Sequence, residues 1–204
     1  MAPADRRGAP GAPGTGWDRA SEAGRALAGL DDAADRLFEH VRGQPAADAA
    51  ALVLSNMADY GFAWAVLAAF EGRHPGPARR RAVRALAVAG ITSAAVNMGA
   101  KRLVHRQRPE TSTGAAARAI LPVRRPRSSS FPSGHTLAAF CTAVTLPQGP
   151  GEVAACLALA AAIAASRVHL RAHHASDVVG GAVIGTTVGL AARRLVPRTA
   201  PAAV

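Results

Sequence analysis

The residues best equipped for chemistry lie in Ser166-Arg167-Val168-His169-Leu170-Arg171-Ala172-His173-His174-Ala175-Ser176-Asp177. Twelve positions hold two arginines, three histidines and an aspartate, with strongly apolar segments on both sides. Ionisable groups beside a lipid-like segment are costly, and their default reading is functional. Asp177 follows His173 by four residues, the spacing at which a carboxylate reaches an imidazole from the next helical turn. A carboxylate so placed fixes the tautomer and stabilises the imidazolium, as a nucleophilic or general-base histidine requires. Taken alone, the stretch also reads as a basic loop snorkelling at a membrane edge.

Two stretches upstream add to it. Lys101-Arg102-Leu103-Val104-His105-Arg106-Gln107-Arg108-Pro109 closes one apolar run, and Ser128-Ser129-Ser130-Phe131-Pro132-Ser133-Gly134-His135 opens another. Lys101, Arg108 and Arg167, without a paired carboxylate cluster, make an anion site, and guanidinium forks suit phosphate oxygens. Ser133-Gly134 at a helix start contributes a hydroxyl and exposed backbone N–H groups, again suited to phosphate. Two histidines beside such a site supply a nucleophile or base and an acid for the leaving group.

The elements that must position these groups follow from composition. Half of the 204 residues are hydrophobic, mostly Ala, Val and Leu in long runs separated by arginine-rich pieces, as in a multi-span membrane protein. A net charge of +11 would also fit a nucleic-acid binder, but only 4% of the residues are aromatic and the arginines cluster between apolar runs. Nucleic acid is therefore not an expected partner. Cys141 and Cys156 sit in apolar segments without metal-like spacing and read as small core residues. The Pro/Gly/Ala-rich beginning has no apolar h-region, so no signal peptide is expected.

Three units are expected. Residues 1–20 are low-complexity and expected to be disordered. Residues 21–43 form a helix capped by Ser21 and closed by Gly43. Its stripe of Leu27, Leu30, Ala34, Leu37 and Val41 makes it an amphipathic helix lying on the membrane or packing on the bundle, with a short coiled-coil seam as the competing reading. Residues 50–197 form an all-helical transmembrane bundle of about five spans, at 51–70, 82–100, 135–146, 153–165 and 178–196. Asp59, inside the first, is expected to face the bundle as a packing residue hydrogen-bonded to Asn97, with no catalytic role. The segments 135–146 and 153–165 are only roughly 20 Å long as helices and cross a ~30 Å core only by continuing through the flanking motifs. Gly181, Gly185 and Gly189 repeat every four residues and prepare the last helix for close packing. Helix counting then brings all three polar stretches to one membrane face.

Lys101-x6-Arg108-Pro109, Pro132-Ser133-Gly134-His135 and Ser166-Arg167-x5-His173-x3-Asp177 resemble, in order and spacing, the three signature motifs of the type 2 phosphatidic acid phosphatase (PAP2) superfamily. The resemblance implies a membrane lipid-phosphate phosphatase acting on a phosphomonoester or diphosphate of polyprenyl or phosphatidate type. It further implies that His173 attacks phosphorus to form a phosphohistidine, that Asp177 orients it, and that His135 protonates the leaving alkoxide and then activates water. Lys101, Arg108, Arg167, Ser133 and the Gly134 backbone would hold the phosphoryl oxygens, with no metal or other cofactor needed. His174 stands three rather than four residues from Asp177 and is expected to line the site as a neighbour. His40, His74, His105 and His169 have no motif position and read as surface or interfacial. Arg102, Arg106, Arg124, Arg125, Arg127 and Arg171 surround the site, either as a basic mouth for an anionic head group or as interfacial arginines paired with ordinary phospholipid.

Two other classes fit parts of the pattern. The vanadium-dependent haloperoxidases share the anion site but are soluble, and a non-catalytic binder of anionic lipid would need only the cations. Sidedness is weighed from the arginines. Arg6, Arg7, Arg19, Arg25, Arg36 and Arg42 join the motif-flanking arginines on the site's face, which points that face to the cytoplasm. Arg73, Arg79, Arg80, Arg81 and Arg84, close to the first two spans, with Arg193, Arg194 and Arg198, weigh on the far face.

Overall fold

The computed structural model describes Trp17 and residues 21–73, 75–109 and 128–195; residues 1–16, 18–20, 74, 110–127 and 196–204 lie outside them. Eight α-helices and one 3-10 turn appear among these residues: α1 Glu22–Glu39, α2 Pro45–Met57, the turn Asp59–Gly61, α3 Phe62–Glu71, α4 Pro77–Met98, α5 Ala100–Leu103, α6 Gly134–Thr145, α7 Pro150–His169 and α8 Ala175–Leu195.

The all-helical bundle expectation holds, and among the described residues three or four spans stand out by length and composition. Three helices are long and apolar enough to cross a membrane, Pro77–Leu103, Pro150–His169 and Ala175–Arg194, and the bent pair Pro45–Met57 and Phe62–Glu71 makes a fourth if counted as one span. The segment read as a straight first span breaks at Asp59–Gly61 with a bend of 62°, and Gly61 takes the left-handed conformation at φ 72°, which a residue without Cβ adopts at little cost. Helix α7 does continue through its motif, carrying Ser166 and Arg167 in its last turns. Helix α6 begins within its motif but has only 12 residues, about 18 Å at the α-helical rise. It is the packed centre of the bundle, in contact with α4, α7 and α8.

The small face of α8 makes that packing possible. A Cβ on Gly181 would lie 2.6 Å from the Ser133 carbonyl oxygen, and one on Gly185 would strike the Leu137 carbonyl oxygen. Backbone meets backbone along this seam, so α6 and α8 hold their motif residues in fixed register. Around it, Trp64, Ala139, Ala143, Ala160 and Ile163 form the main apolar cluster.

Helix α1 behaves as a docked helix. Ser21 Oγ accepts from Gly24 N at 3.0 Å, as expected of its N-cap, and Gly43 closes the following turn at φ 83°. Its buried positions are Gly24, Ala28 and Asp31, while Leu30, Leu37 and Val41 of the apolar stripe are exposed. The helix thus turns a small, acidic face to the bundle and its aliphatic stripe outward.

Candidate active site

Lys101 arrives from the end of α4–α5, Gly134 and His135 open α6, Arg167 stands in the last turn of α7, and His173 lies in the turn before α8. With Arg108 they line one cavity of about 510 Å³, whose other wall is Ala58, Trp64, Leu86 and Ala89. Six of the eight expected site residues are thereby brought to a common space. Ser133 and Asp177 are fully buried behind it, tied by a Ser133 N–H that donates to the Asp177 carbonyl at 3.0 Å. Ser133 Oγ accepts from the Thr136 hydroxyl at 3.1 Å.

The His173 turn is built from the end of α7. Ala172 and His173 N–H groups both donate to the Arg167 carbonyl, at 3.0 and 3.2 Å, so the histidine is positioned from the residue that reaches the cavity beside it. Nδ1 of His173 faces Asp177 Oδ2 at 3.5 Å, long for a hydrogen bond but within the range over which unliganded catalytic contacts tighten on substrate binding. Nε2 lies 3.2 Å from Arg108 Nη1, which also donates to the Ala172 carbonyl at 2.8 Å. Burial pushes the His173 imidazole down to about 3, with the Arg108 and Arg167 charges adding to it and Asp177 opposing. The ring is therefore neutral at ordinary pH, with a lone pair on the side of the guanidinium. Arg167 is buried and donates to the Ser55 hydroxyl of α2.

Three contacts correct the sequence reading. Arg106, placed among the arginines around the mouth, is buried; its Nη1 donates to Asp177 Oδ1 and its Nη2 to Asp31 Oδ2 at 2.5 Å. Its guanidinium also lies 4.7 Å from the Trp17 ring centre. Asp31 itself accepts from Ser176 N at 2.7 Å. A buried chain Asp31–Arg106–Asp177 thus runs from α1 to the carboxylate beneath His173. Arg171 is likewise engaged by α1, donating to Glu39 at 2.8 Å, at a φ of 51° that residues other than glycine rarely adopt.

Asp59 is the second correction: its Oδ1 lies 2.7 Å from His135 Nε2, so it belongs to the site rather than only to packing. His169 is the third, buried and 2.7 Å from Asp48 Oδ1 instead of interfacial. Long-range partners such as these leave only a weak mark in sequence, an ionisable residue inside an apolar segment, which Asp59 displays. His40 and His105 are exposed as expected. His174 does not line the cavity; its N–H donates to Asp177 Oδ2 at 2.9 Å. His74, Arg124, Arg125 and Arg127 lie outside the described residues.

The arrangement matches known proteins. The sequence profile of the PAP2 superfamily matches residues 82–200. A decaprenylphosphoryl-5-phosphoribose phosphatase of Mycolicibacterium smegmatis is 34% identical over 139 residues, covering 68% of this chain and 73% of its own. Its namesake in Mycobacterium tuberculosis is 32% identical over 146 residues, 72% and 78% of the two chains. The crystal structure of a transmembrane PAP2-type phosphatidylglycerolphosphate phosphatase from Bacillus subtilis superposes with a TM-score of 0.62 at 21% identity, over 86% of this chain and 87% of that one. A profile match that takes in all three motifs, on a bundle that holds their residues around one cavity, makes this chain a member of the PAP2 superfamily.

Proposed function

We propose that this membrane lipid-phosphate phosphatase removes a terminal phosphomonoester from a polyprenyl-linked sugar phosphate, through a phosphohistidine at His173. One observation carries the mechanism: a neutral imidazole and three cationic side chains share a cavity with an apolar wall of Ala58, Trp64, Leu86 and Ala89. The sugar-phosphate substrate class rests on the relatives of 34% and 32% identity.

Nε2 of His173 attacks phosphorus, and the P–O bond to the substrate alcohol breaks as the N–P bond forms. The positive charge that develops on the ring is held by Asp177 through Nδ1–H. Lys101, Arg108 and Arg167 with the Gly134 N–H stabilise the equatorial oxygens, Arg108 exchanging its contact with Nε2 for a phosphoryl oxygen. His135 gives its proton to the departing alkoxide. In the second half it takes a proton from water, whose oxygen attacks phosphorus and displaces Nε2, releasing inorganic phosphate. Ser133, behind the cavity wall, acts with the Asp177 backbone carbonyl to fix the start of α6 against α8. Residues 50–197 are the catalytic domain, and the 21–43 helix is docked on it.

Phosphate release from a panel of lipid phosphates by the purified protein in detergent tests the reading. A polyprenyl phosphate bearing a phosphorylated sugar should be hydrolysed faster than phosphatidate or phosphatidylglycerol phosphate, and His173→Ala should abolish release while remaining folded. Preference for phosphatidate would overturn the substrate class. Release by His173→Ala would overturn the mechanism.

A further inference from the structure

We propose that Asp59 is a positioning residue for the leaving-group step, holding the His135 ring by Nε2 so that the imidazole keeps the proton it must deliver. The inference rests on the reading of His135 as general acid, and it extends the site to the bend between α2 and α3.

Three observations converge. First, Asp59 Oδ1 lies 2.7 Å from His135 Nε2, across 76 residues of sequence. Second, among the described residues Asp59 is the only carboxylate lining the cavity, where the other titratable groups are Lys101, Arg108, Arg167, His135 and His173. Lys101 and Arg167 oppose a proton on His135, and a general acid must carry one before the P–O bond breaks. A carboxylate against its far nitrogen supplies the opposing charge and fixes which nitrogen is turned away from it. Third, the backbone is broken to put Asp59 there. Its helix pair is bent by 62° at the Asp59–Gly61 turn, and Ala58, Asp59 and Gly61 all line the cavity. Interrupted helices at membrane depth are tolerated where they line a polar cavity, because their loosened backbone groups must be satisfied there. A carboxylate at this depth is likewise expensive unless it is paired.

The role predicts dependence on the leaving group. An alkyl phosphate expels a basic alkoxide and needs the proton; an aryl phosphate expels a stable phenolate and does not. Asp59→Asn keeps the shape and an acceptor oxygen but removes the charge. It should slow the first turnover of a lipid alkyl phosphate by about tenfold to a hundredfold, the lower end of general-acid effects. Release of aryl alcohol in the first-turnover burst of p-nitrophenyl phosphate should stay within a few-fold of wild type. Asp59→Glu should recover part of the alkyl rate, and the basic limb of the alkyl pH profile should move to lower pH in Asp59→Asn, since the imidazolium loses its counter-charge. Equal loss on both substrates, or none on either, would overturn the proposal. His135→Ala is run beside it: leaving-group dependence there but not in Asp59→Asn removes Asp59 alone, whereas its absence in both removes the general-acid reading of His135 as well.

Discussion

A guanidinium and an ammonium carry the same charge, but the place Arg167 occupies separates them. It is buried, it donates to Ser55, and it lines the cavity beside His173. Lysine there offers a point charge with no fork to span two partners, so Arg167→Lys should lose a transition-state contact of ~3 kcal/mol, about a hundredfold in kcat/KM. Near-native kinetics would remove Arg167 from the phosphoryl site. His173 makes a second prediction, with a definite sign. Its folded pKa of about 3 is depressed by burial, so between that value and the ordinary histidine range the unfolded chain binds a proton that the folded chain refuses. Stability therefore falls as pH is lowered through that window. Melting in detergent at pH 5 relative to pH 7 should drop less in His173→Gln than in wild type; an unchanged drop would mean His173 is not buried as neutral imidazole. At this scale the motif residues were legible because their spacing is local. Their ionic partners were not: Asp31 is 75 residues from Arg106, and Asp59 is 76 from His135. No periodicity connects such positions; only the packed bundle does.

Helix α1 shows how an element can be read correctly as amphipathic and still be underread. Its aliphatic stripe dominates the sequence pattern, yet its attachment to the site runs through Asp31 on the opposite, small-residue face. Asp31→Asn leaves the buried Arg106 short of one counter-charge and should destabilise the fold by about 3 kcal/mol, since breaking a buried ion pair leaves an uncompensated charge. Turnover should fall with it, because Arg106 also holds Asp177. Asp35→Asn, half-exposed in its pair with Arg42, should cost less than about 1 kcal/mol. Equal effects of the two variants in thermal unfolding and turnover would show that α1 is merely adherent. The glycine repeat was legible as a packing face, and the structure names its partner as α6. Gly185→Ala should cost about 1–3 kcal/mol by overpacking, with Gly151→Ala, which meets nothing within 4 Å, as the silent control. The bend at Asp59–Gly61 was not legible, because 51–70 has the length and composition of one straight span; Gly61 was its only mark.

Across the whole molecule, the proposed catalytic groups gather at the ends of α4, α6, α7 and α8, sunk beside an apolar wall. A lipid can present its phosphate to the cations there while its tail stays among apolar surfaces. We propose, from the arginines on the face where these groups lie, that it turns to the cytoplasm. A cysteine placed in the 110–127 loop should resist a membrane-impermeant thiol reagent in intact cells, while one at Gly76 is labelled; the opposite pattern reverses the assignment. Hydrolysis should withstand EDTA, since side-chain cations serve the phosphoryl oxygens, and loss on chelation restored by a divalent ion would contradict that. The proposed mechanism turns on the bond between His173 and phosphorus. Rapid alkaline quenching of the enzyme turning over a substrate with a radiolabelled terminal phosphate tests it most directly. A phosphohistidine at His173 gives protein-bound label that survives base, is released by acid, maps to His173 and is missing from His173→Ala; label on His174, or rapid turnover with no trapped label, would rule it out.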